Sequence, residues 1–115
     1  MSEKNLQNIC KKSLEDNKAE NILVLDIEGI SSFADEIIIA TANSNRHAKS
    51  LADKLVESIK ANNKNIINVE GKVESGWILV DCGGVVVNIM KEEIREFYDL
   101  EGLWGENTLL NSSNK

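Results

Sequence analysis

"GWILVDCGGVVVNIM", residues 76–90, decides the architecture. Two apolar runs flank Gly83-Gly84, and a two-residue glycine loop between such runs predicts a β-hairpin. The primed turns that match strand twist need positive φ, which glycine adopts without strain. The register follows: Cys82 opposes Val85, Asp81 opposes Val86, Val80 opposes Val87, Leu79 opposes Asn88, Ile78 opposes Ile89 and Trp77 opposes Met90. Successive residues point to opposite faces. One face carries Ile78, Val80, Cys82, Val85, Val87 and Ile89, with no polar group beyond a thiol, and reads as core. The other carries Trp77, Leu79, Asp81, Val86, Asn88 and Met90, too apolar for a bare solvated face and too polar for a dry interior. That mixture fits an interface. The pattern leaves Trp77 open between core and docking surface, because burying it would draw Asp81 and Asn88 inward with it.

Working outward, "NILVLDI" (21–27) and "DEIIIAT" (35–41) are nearly continuous apolar runs, which predicts strands buried on both faces near the sheet centre. "EGISSFA" (28–34) connects them. Upstream, over residues 4–19, Leu6, Ile9, Cys10, Ser13 and Leu14 share a stripe at helical spacing. Asn43 or Ser44 can cap a second helix, in which Ala48, Leu51, Ala52, Leu55, Val56 and Ile59 recur at intervals of three and four. Asn62-Asn63 ends it, and "IINVEG" (66–71) supplies a third strand ahead of the hairpin. A last helix is expected from Lys91 to Glu101 with Ile94, Phe97 and Tyr98 inward. Gly102 would be its left-handed cap, turning Leu103 and Trp104 back so that Trp104 closes the core. Residues 1–107 then form a single domain and residues 108–115 a frayed tail. The order α-β-β-α-β-β-β-α predicts a two-layer α/β domain with a mixed five-stranded sheet, part of one sheet face being left uncovered.

The chain has 115 residues, 42% of them hydrophobic, which suits one core. There is no apolar run of membrane-spanning length, and "MSEKNLQNIC" lacks the charged start and apolar middle of a secretion signal, so a cytoplasmic location is expected. Cys10 and Cys82 are too few and too far apart for a metal motif and read as reduced, apolar fillers. A net charge of −6 with no Lys/Arg cluster removes the electrostatic basis for tracking a nucleic-acid backbone. It favours a basic protein surface as partner.

Catalytic and metal chemistry is sparse. Asp26 and Glu28 lie two apart at a strand end, on one face, a spacing that can hold a divalent cation, with Asp35 or Asp81 nearby. A nucleotidyltransferase site would also need phosphate-binding amides, and no Gly-rich loop precedes a helix here. Solvated strand-end carboxylates explain the pair as well. His47, the one histidine, follows Arg46 in the first turn of the second helix, with no nucleophile placed beside it by a recognisable motif. Ser44, Arg46 and His47 fit either capping and surface packing or the capture of an anion or a partner's carboxylate. No catalytic residue, cofactor or metal site is assigned.

Five runs carry a resemblance: "SSFADEIIIAT", "SNRHAKSLADKL", "VEG", "WILVDCGGVVVNIM" and "REFYDLEGLWGE". Together, in this order and over nearly the whole chain, the sequence resembles the ribosomal silencing factor family (RsfS, Iojap). The most specific part is Arg95 to Glu101 with Leu103-Trp104. The resemblance implies a nucleotidyltransferase-like fold without catalytic residues, and no enzymatic activity. It further implies binding to the large ribosomal subunit through the basic ribosomal protein number fourteen at the intersubunit face. The bound factor would block association with the small subunit and so repress translation when nutrients are scarce. Trp77, Asp81 and the Arg46-His47 pair match the family pattern. Ala42, Gly84 and Asn88 stand where the family usually has Gly, Asp and His, and no proline precedes Glu70-Gly71. The expected partner-binding set is Trp77, Leu79, Asp81, Val86, Asn88, Met90, Arg46 and His47. Two other readings remain: a nucleotidyltransferase-like enzyme using Asp26 and Glu28, and a homodimer whose exposed sheet face pairs with itself.

Overall fold

The computed structural model describes residues 2–29, 34–62, 64, 68–99 and 102. The stripe led by Leu6, Cys10 and Leu14 winds into α1 (Ser2–Asp16), followed by β1 (Glu20–Asp26) and β2 (Glu36–Ala42). The three-and-four repeat forms α2 (Asn45–Ala61), whose start is fixed by Ser44: its hydroxyl accepts the His47 N–H at 3.0 Å. β3 (Asn68–Glu70), a single 3-10 turn (Val73–Ser75), β4 (Trp77–Asp81), β5 (Val85–Lys91) and α3 (Glu92–Tyr98) complete the order.

The five strands form one mixed sheet in the order β1-β2-β5-β4-β3. β2 and β5 are parallel and the other neighbours antiparallel. The hairpin pairs Trp77 with Met90, Ile78 with Ile89, Leu79 with Asn88, Val80 with Val87 and Asp81 with Val86, as its glycine loop requires. At the turn only Gly83 has positive φ, 92°, which is the type II′ arrangement rather than I′.

α1 and α2 cover one face of this sheet. Leu6, Cys10, Leu14, Leu51, Leu55 and Ile59 meet Val24, Ile38 and the inward hairpin residues Ile78, Val80, Cys82, Val85, Val87 and Ile89 in one continuous buried cluster. Cys10 and Cys82 are free, buried thiols within it. A second cluster on the opposite face joins Leu25, Ile27, Ala34, Ile37, Ile39, Val86 and Met90, with Leu23, Trp77, Leu79 and Ile94 packed against it.

Four expectations are corrected. β1 lies at the sheet edge, not near its centre, because β2 pairs in parallel with β5 and the hairpin occupies the far side. Its apolar run reflects cover on both faces of Val24 and Leu25, while its first two residues are exposed. α3 ends three residues before Gly102, at Asp99, which takes the left-handed conformation (φ 48°, ψ 58°) and donates its N–H to the Arg95 carbonyl at 2.8 Å. Aspartate tolerates this geometry through local hydrogen bonding, here by accepting the Gly102 N–H at 3.2 Å. Phe97 and Tyr98 do not point inward but are 78% and 51% exposed. Val56 is half-buried rather than core. The expectations for Asn63, Ile66, Leu103, Trp104 and the tail 108–115 lie outside the described residues.

Candidate functional site

Strand register lays out the sheet face away from α1 and α2 in rows. Leu25, Ile37, Val86, Asp81 and Asn68 form one row, Leu23, Ile39, Asn88, Leu79 and Glu70 the next, and Thr41, Met90 and Trp77 the third. The six outer hairpin residues therefore share one face, yet they divide by strand. Val86, Asn88 and Met90 on the central β5 are buried, whereas Trp77, Leu79 and Asp81 on β4 are half-buried and reach the surface. Burial of the β5 members makes them the floor under the β4 members.

Trp77 is held from two sides. Its Nε1–H donates to Asn88 Oδ1 at 2.8 Å, which satisfies a buried amide and fixes the indole orientation. Its ring lies 4.8 Å from that of Tyr98, tilted by 52°, and Tyr98 in turn meets Phe97 edge-on at 4.9 Å. These separations are those of favourable aromatic pairs. Three aromatic rings thus rise in succession from half-buried Trp77 to the exposed Phe97. The sequence reading missed Phe97 and Tyr98 as surface residues because spacing of three and four marks a shared face of a helix without saying what covers it.

Backbone geometry places Trp77. Gly71 has φ 99°, and a Cβ on it would run into the Trp77 carbonyl oxygen, so only glycine permits this approach of the strand. Gly76, at φ 77°, accepts the Lys91 N–H at 2.9 Å and closes the strand pair where α3 begins. Glu92 and Glu93 occupy the first turn of α3, where carboxylates complement the helix dipole. The Glu93 backbone N–H, then the Lys91 ammonium 3.3 Å away, hold the Glu93 carboxyl below the ordinary carboxylate range. Glu96 and Asp99 are exposed as well, so the short stretch that bears Phe97 and Tyr98 also carries four exposed carboxylates. Asp81 has a local duty as well, accepting the Gly83 N–H at 2.9 Å to brace the hairpin turn.

Arg46 and His47 lie elsewhere, on the helical layer behind the sheet. The His47 ring bridges two segments: Nδ1 accepts the Asn43 N–H at 3.0 Å, which leaves Nε2 protonated to donate to the Asn17 carbonyl at 3.0 Å. Both nitrogens are thus engaged inside the chain, while Arg46 is exposed. Asp26 accepts the Glu28 N–H at 3.0 Å, a local turn that rounds off β1. Among the described residues no three His, Cys, Asp or Glu side chains gather as a metal ion would require. None of the described helices is long and apolar enough to cross a membrane.

A family profile described as "Ribosomal silencing factor during starvation" (RsfS) matches residues 1–115. The chain belongs to the RsfS family. Among its relatives, the ribosomal silencing factor RsfS of Bacillus subtilis is 37% identical over 106 residues, spanning 92% of this chain and 90% of that protein. The RsfS of Chromobacterium violaceum is 39% identical over 103 residues, spanning 87% and 84%. A crystal structure of a Chromobacterium violaceum protein superposes with a TM-score of 0.85 at 32% identity, covering 97% of this chain and 95% of that one. These RsfS relatives bear the name of a regulatory factor rather than of a catalyst, and the five-stranded mixed α/β fold described above is shared with the solved structure.

Proposed function

We propose that this RsfS-family chain silences ribosomes by docking on the large subunit, through the basic ribosomal protein number fourteen at the intersubunit face. The bound body then stands where the small subunit would sit, so translation falls under nutrient limitation without any bond being made. Such a role places the chain in the cytoplasm and asks nothing of Asp26, Glu28 or a cofactor.

The observation that carries this reading is the aromatic ascent Trp77-Tyr98-Phe97, two of whose rings stand on a helix with exposed carboxylates. Tryptophan and tyrosine are the side chains most often dominant in protein docking, and a rigid floor under them limits the entropy lost on binding. Carboxylates around them complement a basic partner and exclude acidic ones. Leu79 and Asp81 extend the same surface along β4. Sedimentation of purified subunits tests it. Added protein should travel with the large subunit and reduce the fraction of joined ribosomes in proportion to its occupancy. Protein that stays at the top of the gradient, or that binds without affecting joining, would overturn the proposal.

A further inference from the structure

α3 has seven residues and buries none of its side chains. A helix that short is not stable on its own backbone bonds, so it must be held from outside. Ile94, half-buried against the second cluster, supplies apolar contact. Arg95 supplies something more directional. Its Nη1 donates to the Asn21 carbonyl at 2.6 Å and to Thr41 Oγ1 at 2.8 Å, reaching the two strands farthest from Trp77.

Local irregularity provides both acceptors. The pairing of β1 with β2 shifts register between Glu20 and Leu23, and Asn21 stands in the left-handed region at φ 50°. A bulge of this kind turns backbone groups out of the ladder. Thr41 sits beside it on β2, 2% exposed, with a hydroxyl that needs a partner. Three residues after Arg95, Tyr98 lies on Trp77 at the β4 side. α3 therefore spans the sheet end, tied at β1 and β2 through Arg95 and resting at β4 through Tyr98.

We infer that Arg95 is the positioning residue of the docking surface: its grip on Asn21 and Thr41 sets α3 so that Tyr98 seats on Trp77 and Phe97 is presented outward. The inference rests on the docking role proposed for that surface, but the grip itself is a property of the free protein. Both of these acceptors are neutral oxygens.

The test uses Arg95→Met, which keeps the apolar stem, Thr41→Val, which removes the hydroxyl at nearly constant shape, and the double variant. Thr41→Ser, which keeps the hydroxyl, serves as control. In the free protein, the NMR cross-peak between the Tyr98 ring and the Trp77 indole reports seating directly. It should fall several-fold in Arg95→Met and fall less in Thr41→Val, with the double variant no worse than Arg95→Met and Thr41→Ser close to wild type. Hydrogen bonds from charged groups are strong enough that large-subunit affinity should drop about tenfold in Arg95→Met. An undiminished cross-peak in Arg95→Met, or effects of the two substitutions that simply add, would overturn the grip. A lost cross-peak with unchanged affinity would overturn the positioning role. If wild type itself fails to bind the large subunit while the cross-peaks behave as expected, the docking role falls and the grip stands.

Discussion

Trp77 serves two masters at once, the protein's own fold through Asn88 and the second cluster, and the surface through its half-exposed ring. Truncating it therefore affects both. Full burial of a tryptophan is worth about 3–5 kcal/mol on truncation to alanine, and half-burial about half of that. Trp77→Ala should lose about 2 kcal/mol of folding stability as well as ribosome binding, leaving a domain with a typical margin of about 5–15 kcal/mol folded but weakened. Phe97 separates the two roles. It is 78% exposed, so Phe97→Ala should leave stability within about 0.5 kcal/mol of wild type. Loss of an interface aromatic should still weaken large-subunit binding by about tenfold or more. Urea denaturation and a subunit binding titration, run on both variants, check this. Unaltered binding by Phe97→Ala would remove the exposed end of the aromatic ascent from the interface.

At the scale of elements, the hairpin was legible pair by pair because glycine in a two-residue loop fixes register, and register fixes faces. Glycine position also yields a prediction. Gly83 and Gly71 both have positive φ, but a Cβ on Gly83 would meet nothing within 4 Å, whereas on Gly71 it would collide with the Trp77 backbone. Gly83→Ala should cost about 1 kcal/mol from backbone conformation alone. Gly71→Ala should cost clearly more, about 3 kcal/mol, because strand β4 must shift to relieve the contact. Equal midpoints in urea would show that the β3–β4 approach yields freely. α2 was equally legible, its repeat and its Ser44 cap both local signals. What was not legible depends on distant cover. An apolar run such as that of β1 records burial on both faces, not rank within the sheet. Ile94, Phe97 and Tyr98 share a helical spacing whether the face they form is core or docking surface. Asp99 ends α3 in a conformation more often given to glycine, drawing on its own carboxylate, which composition does not advertise. Alternation along the two strands puts the outer hairpin residues on one face, but their division into a β5 floor and a β4 surface depends on β2 flanking β5. The ring nitrogens of His47 engage Asn43 and Asn17, and the second of these contacts, with a residue 30 positions away, leaves no signal in the sequence around His47.

At the scale of the whole molecule, charge and shape work on different parts of association. On the proposed docking role, the net charge of −6 and the exposed Glu92, Glu93, Glu96 and Asp99 would steer the chain toward a basic surface, while the aromatic ascent that ends on the same helix would supply contact that salt does not screen. A protein that tracks phosphates behaves differently, because each neutralised phosphate releases counterions, and six contacts give a log-log slope of affinity against salt of about −5. An acidic face meeting a basic protein releases far fewer ions. Binding to the large subunit should accordingly weaken as salt rises, but with a slope clearly shallower than about −5. The association rate should carry most of that dependence, with dissociation nearly constant, since steering acts on encounter and aromatics that become buried on docking would govern release. Surface-immobilised large subunits, probed by flow across a range of potassium chloride concentrations, give both rates together. A slope as steep as about −5 would mean that the chain grips ribosomal RNA rather than a basic protein. Salt dependence concentrated in dissociation would place charged pairs, not Trp77, Tyr98 and Phe97, at the centre of the contact.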